Sequence, residues 1–272
     1  GETAVAQRLS GLVSPFILRR LKGDVLRDLP EKNESIVVAN MEGEQAKLYR
    51  ANEEKLALML MDQDAAEFAG MKLKVLAELT KLRQLCCDPS LVYENYAGGS
   101  AKLETCLELV RSAVEGGHQV LMFSQFTSMF DIIGKRLADE RIHHMRLTGA
   151  TPKEERIRLV QRFQAGEAPV FLISLKAGGV GLNLTAADIV IHYDPWWNLA
   201  AQNQATDRAH RIGQEQQVSV FKLIAKGTIE ERIVAMQEAK RDLAEQVIGG
   251  EGVARTSITR DDILALLNAN SR

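Results

Sequence analysis

Arg208 and Arg211 stand three residues apart in the run QATDRAHRIGQ over residues 204–214, with Gly213 near its end. On a helix, residues at that spacing project from nearly the same face. An arginine stays charged at physiological pH and presents a planar fork of donors that matches phosphate. Two forks at one helix end could hold a polyphosphate during phosphoryl transfer, a reaction that needs charge stabilisation more than covalent help. The plain alternative is a solvated or salt-bridged helix face, the common fate of exposed charge.

A second run could meet phosphate with backbone. Residues 170–175, VFLISL, are apolar throughout, as strands buried in parallel sheets are. They lead into Lys176, Gly178, Gly179 and Gly181. Glycines after a strand let backbone N–H groups approach a phosphate closely. A dinucleotide fingerprint is excluded, because Leu184 stands where the third glycine would be. Elsewhere the sequence holds no Gly-x-x-x-x-Gly-Lys-Ser/Thr run and no Asp-Glu box, the elements that hold ATP phosphates and Mg²⁺. Lys102 follows Ser100 and Ala101 with no strand leading in and no Gly directly before it. The five histidines show no metal spacing. Adjacent Cys86 and Cys87 with distant Cys106 make neither a metal site nor a disulfide framework, so all three read as reduced core thiols.

The elements that must position these residues fall into three parts. Residues 1–98 read as helical, with one strand candidate at 35–39. Leu48, Leu56 and Leu60 set helical spacing over 44–61, and a similar pattern runs over 71–85. The stretch 59–71 reads as loop or frayed helix. Residues 99–227 alternate strands near 120–123, 144–147, 170–174, 189–193 and 218–223 with helices near 101–116, 127–140, 152–165 and 198–210. Thr151, Pro152 and Glu154 read as a capping box for the third of these helices, and Gly166 as its stop. From residue 228 to 272 a long helix through about residue 248 is expected, capped by Thr228 and Glu231, then a loop and a short helix near 261–267. Such alternation predicts an α/β fold: a parallel sheet with helices on both faces, joined by right-handed crossovers. Function then belongs at the carboxyl ends of the strands. Ser124, Gln125, Thr148, Gly149, Ser174, Lys176, Asp194 and Trp197 all fall there.

The formal net charge of −2 argues against a globally basic nucleic-acid binder, though it leaves room for a local basic track. No apolar run is long enough to span a bilayer.

The motif wording adds a family. QATDRAHRIGQ closely resembles the last helicase motif of Swi/Snf-type DNA-translocating ATPases, a branch of the superfamily-two helicases. The segments at 15–22 (PFILRRLK), 82–89 (LRQLCCDP), 120–127 (VLMFSQFT), 147–151 (LTGAT), 176–184 (KAGGVGLNL) and 227–231 (GTIEE) resemble other parts of the same family in the same order. The resemblance implies a RecA-like second motor lobe over 99–227. A mostly helical linker would precede it at 1–98, and a bracing helix and tail would follow at 228–272. It implies ATP and Mg²⁺, held mainly by a first lobe expected upstream, so this segment alone is expected to be inactive. Arg208 and Arg211 would reach the nucleotide across the cleft, with Gly181 and Gln204 lining it. Double-stranded DNA would be gripped through phosphates, since a translocase ignores sequence. Gln125, the Thr148 and Ser174 hydroxyls, the Gly149 and Gly178 amides and Lys176 are the expected ligands, and Trp197 the groove contact. The partners implied are DNA, the first lobe and a DNA-bound protein to be remodelled. The compartment would be bacterial cytoplasm or nucleoid, or a eukaryotic nucleus. An ATP-independent DNA-binding module with a decayed motor and a strand-separating helicase remain compatible readings.

Overall fold

Two strands, Val120–Ser124 (β2) and Val170–Ser174 (β4), are buried at every position and pair in parallel with Ser124 opposite Ser174. Apolar side chains on both faces demand cover on both sides, and that makes them the centre of a layered fold. In the computed structural model, which describes residues 29–61, 65–175, 177 and 182–247, they lie inside a six-stranded sheet of order β1-β6-β5-β2-β4-β3. The other strands are Lys32–Ala39 (β1), His144–Leu147 (β3), Ile189–His192 (β5) and Val218–Ala225 (β6), and every pairing is parallel.

Helices Ala101–Glu115 (α3) and Met129–Asp139 (α4) cover one face. Leu103, Leu107, Val110, Phe130, Ile133 and Leu137 pack there on Val120, Met122, Val170, Leu172 and Ile191. Lys153–Gln164 (α5) and Leu199–Thr206 (α6) cover the other, where Leu159, Phe163 and Ala205 meet Leu121, Phe123, Phe171, Ile173 and Val220. A third cluster joins Gly43–Met61 (α1), Ala65–Cys87 (α2) and Ile229–Val247 (α7) through Tyr49, Leu56, Leu60, Leu79, Leu82, Ile229 and Ile233. The three cysteines are buried and unpaired.

The expected strand at 35–39 begins earlier, at Lys32, and joins the same sheet as an edge strand in register with β6. Its polar start hid it: Glu34 is held by Lys222 and Lys32, each at 2.6 Å, which pull its pKa down to about 2 against its partial burial. The stretch 59–71 is helical on both sides of residues 62–64, where a loop or frayed helix was expected.

Two helix ends depart from the sequence reading. At α5 the expected capping box does not form: the helix starts at Lys153, and the Thr151 hydroxyl turns back to accept the Thr148 N–H at 3.0 Å. The loop before the helix has orphan donors of its own, and it takes the oxygen. The stop at Gly166 forms fully. With φ at +77°, Gly166 donates to the Phe163 carbonyl and Glu167 donates to that of Arg162, the paired bonds of a Schellman end. The second departure is α6, which stops at Thr206. Arg208 and Arg211 therefore lie in the tight turns beyond it, where the N–H groups of Arg208 and Ala209 bond three residues back.

At α7 the Thr228 hydroxyl accepts the Glu230 N–H, and Glu231 accepts the Gly227 N–H. The reciprocal cap thus closes one residue earlier than the usual box. Beneath it lies a charge pair that sequence reading missed. Lys102 of α3 donates to Glu230 of α7 at 2.5 Å, with both side chains fully buried, and Glu230 also accepts the Ala225 N–H at 2.9 Å. The pair ties a helix on the sheet to the third cluster. The expected terminal helix near 261–267 and the segment 15–22 lie outside the described residues.

Candidate functional site

Parallel register brings the candidate contacts to one rim. Ser124 ends β2 opposite Ser174, Thr148 follows β3 next to β4, and Asp194 follows β5 next to β2. Asp194 organises the β2 exit, accepting the Ser124 hydroxyl and, at 3.2 Å, the Gln125 N–H. It is wholly buried; burial raises its pKa, while Arg83 and Ser124 oppose the shift. Gln125 is half-buried with its backbone fixed in this way.

The β3 exit is laced by an arginine that the sequence did not single out. Arg156 of α5 donates to the carbonyls of Thr151 at 2.8 Å and Gly149 at 3.0 Å. Its position one turn into α5, facing back over the loop, was the available signal. Gly149 itself is exposed. Ser174 is buried, and its hydroxyl accepts the Ala177 N–H, so it shapes the turn and does not face outward. Lys176, Gly178 and Gly181 lie outside the described residues.

The two tryptophans diverge. Neither is fully buried. Trp196 packs against the core cluster on the α5 and α6 face, and Trp197 against the third cluster. Trp197 also faces the Arg83 guanidinium, 5.7 Å from its ring centre.

The arginine turn is anchored away from this rim, toward the strand starts. Buried Gln214 donates to the carbonyls of Ala187 and Ala209 at 2.8 and 3.3 Å. The Arg208 carbonyl accepts the Leu184 N–H at 3.0 Å, and His210 meets the Pro30 carbonyl at 2.8 Å. Within this frame Arg208 is only 8% exposed, and its Nε has no partner among the described residues. Burial, then the nearby charge of Arg211, lowers its pKa. Arg211 and Gln204 are exposed. A sheltered guanidinium with an unsatisfied donor beside a second cation is an arrangement that an anion would relieve.

His192 supports the stem of that turn. It stacks on Phe123 with ring centres 5.6 Å apart, and its Nε2 meets the Thr206 hydroxyl at 2.8 Å. Thr206 in turn donates to the Gln202 carbonyl, so its oxygen accepts from the His192 N–H. Burial, then Lys222, depresses the His192 pKa to about 3. A histidine with a lowered folded pKa contributes stability above its unfolded value near 6.5 and loses it as pH falls toward 3. Moving from pH 6.5 to 5 should remove on the order of 2 kcal/mol through this side chain. A His192→Gln variant should show a flatter decline of melting temperature over that range, and an equally steep one would refute the assignment.

A parallel sheet covered by helices on both faces, with the candidate contacts on its carboxyl rim and paired arginines beyond a late helix, defines a RecA-like lobe of the helicase type. Residues 101–213 match the helicase conserved C-terminal domain, and residues 1–91 the SNF2-related domain. The C-terminal domain of the Sulfolobus solfataricus SWI2/SNF2 ATPase is 30% identical, with a TM-score of 0.67 over 86% of this chain and 94% of that one. The ATPase core of the same organism in complex with dsDNA is 34% identical, with a TM-score of 0.68 over 89% of this chain and 52% of that one. The chain belongs to the SWI2/SNF2 family. The putative ATP-dependent helicase/translocase YwqA of Bacillus subtilis is 44% identical over 90% of this chain and 27% of that protein. The chain spans about a quarter of the length of the curated relatives it matches.

Proposed function

We propose that these residues form the second motor lobe of an ATP-dependent translocase on double-stranded DNA, one that remodels protein–DNA complexes. Arg208 and Arg211 reach across the interlobe cleft to the nucleotide, and Gly181 and Gln204 line the same cleft. ATP and Mg²⁺ are held mainly by the partner lobe of the same protein. The observation that carries the reading is the sheltered, unsatisfied Arg208 guanidinium beside Arg211. The relatives support it, being named as ATP-dependent helicases, a translocase and an ATPase core in complex with dsDNA.

DNA is held on the carboxyl rim. Gln125, Thr148, Gly149, Lys176 and Gly178 supply phosphate contacts, and Ser174 holds the Ala177 N–H at the end of β4. Trp197 completes the grip at the groove. Hydrolysis requires lobe closure, because the arginines and the phosphate site lie on different lobes, and closure moves the DNA-gripping rim.

The test is DNA-stimulated ATP hydrolysis measured with DNA displacement in one reaction, using the whole protein. Trp197→Ala should cut displacement per ATP several-fold while leaving much of the stimulated hydrolysis. Binding should be indifferent to sequence and should weaken steeply with salt, and Lys176→Ala should flatten that slope by about one phosphate contact. Strong sequence preference with a flat salt response would overturn the phosphate-grip reading. Strand separation coupled to hydrolysis would favour a helicase over a translocase.

A further inference from the structure

The exits of β2 and β5 are joined by one buried cation that comes from neither. Arg83 sits on α2, a helix of the third cluster, and is 3% exposed. Its Nη2 donates to the Pro195 carbonyl at 2.5 Å and to Asp194 Oδ2 at 3.4 Å. Its guanidinium carbon lies 5.5 Å from the Phe126 ring centre and 5.7 Å from that of Trp197. Phe126 belongs to the turn after β2 and Trp197 to the turn after β5. Asp194 closes the circuit by accepting from Ser124 and Gln125. A planar, delocalised cation suits this place, because it can face two rings while its edge donates to oxygens.

We propose that Arg83 is the positioning residue that holds the Gln125 and Trp197 turns in one DNA-engaging geometry. The inference rests on the DNA-grip reading above and deepens it. Buried Arg83 acts through the two turns that it contacts. An ammonium at this position keeps the charge but cannot donate to Asp194 and Pro195 while lying flat between both rings. Losing the guanidinium therefore removes the hold on the Pro195 carbonyl and on the Phe126 and Trp197 rings, leaving only the Asp194 bonds to Ser124 and Gln125 between the two turns, while the arginine turn beyond α6 is untouched.

Two measurements on the whole protein test this. In the first, Arg83→Lys should raise the DNA concentration for half-maximal stimulation of ATP hydrolysis about tenfold, with the rate at saturating DNA falling less than twofold. In the second, Trp197 is the sole tryptophan of the segment in a Trp196→Phe background. Tryptophans elsewhere in the whole protein are common to both samples and cancel in the difference between them. Arg83→Lys should make Trp197 emission redder and more accessible to acrylamide. Arg83→Met serves as the second variant, with the larger change expected. If it fails to fold, the lysine variant carries the comparison. Unchanged acrylamide quenching in the lysine variant overturns the positioning role. So does an equal loss of saturated rate and DNA half-saturation with a lowered melting temperature, since that marks a merely structural arginine. If the parent protein shows no DNA-stimulated hydrolysis, the DNA-grip reading fails and the quenching comparison alone decides the clamp.

Discussion

Arg208→Lys in the whole protein should lower ATP turnover by about 10³-fold or more, the scale on which arginine fingers act in nucleotidases. Lysine keeps the charge and loses the fork. Stability is the discriminating second reading. A structural arginine that satisfies its surroundings leaves unpaired acceptors behind when replaced, and the protein melts earlier. Arg208 instead has an unsatisfied Nε and a repelling neighbour in Arg211. Replacing it should leave the melting temperature level or slightly higher, as for groups held in strain for function. Arg211→Lys, at an exposed position, should lose turnover with no change in stability. DNA binding should survive in both, because the rim contacts are elsewhere. Turnover retained in both variants would show that neither side chain reaches the nucleotide.

Lys102→Met should be among the most destabilising single changes in the molecule. It strands the fully buried Glu230 carboxylate, whose pKa burial already raises and Lys102 holds back. Removing one partner of a buried pair costs about 3–5 kcal/mol, which corresponds to a melting shift of roughly 10 °C in a domain of this size. The double variant Lys102→Met with Glu230→Gln should recover much of the loss, since the amide oxygen still accepts the Ala225 N–H and no charge is left unpaired. Additive losses in the double variant would mean that the two side chains act independently, contrary to the geometry.

Where residues interact through sequence period, the fold was legible. The apolar runs at β2 and β4 and the spacing in α1, α3 and α5 signal their elements directly. Gly166 marked its helix end because only its left-handed turn closes the Schellman bonds without strain. Thr151 misled, because a hydroxyl serves the nearest orphan donor and here that donor was upstream. The end of α6 misled for a related reason. Nothing in the run TDRAHR forbids a helix, and the tertiary bonds of Gln214 and His210 decide the turn. The Lys102–Glu230 and Arg83–Asp194 pairs were out of reach, since their partners lie 128 and 111 residues apart and each charge alone reads as surface. The carboxyl rim was legible because strand ends are where parallel sheets gather side chains. The sheltering of Arg208 was not, because burial of a charge is a property of the assembled turn.

The edge strand β1 has a bearing on how such lobes can be exchanged. It is contributed from before α1 and α2, yet it completes the sheet, and α2 supplies Arg83 to the rim. A graft limited to residues 101–213, the span matched by the helicase C-terminal domain, would leave out β1, β6 and Arg83 together. It would carry the paired-arginine run into a host with a four-stranded remnant of the sheet and no Arg83. The heritable unit is therefore discontinuous with the motif unit. A graft that keeps this sheet whole and the Lys102–Glu230 pair intact has to begin ahead of Lys32 and run into α7, and so carries α1 and α2 with it.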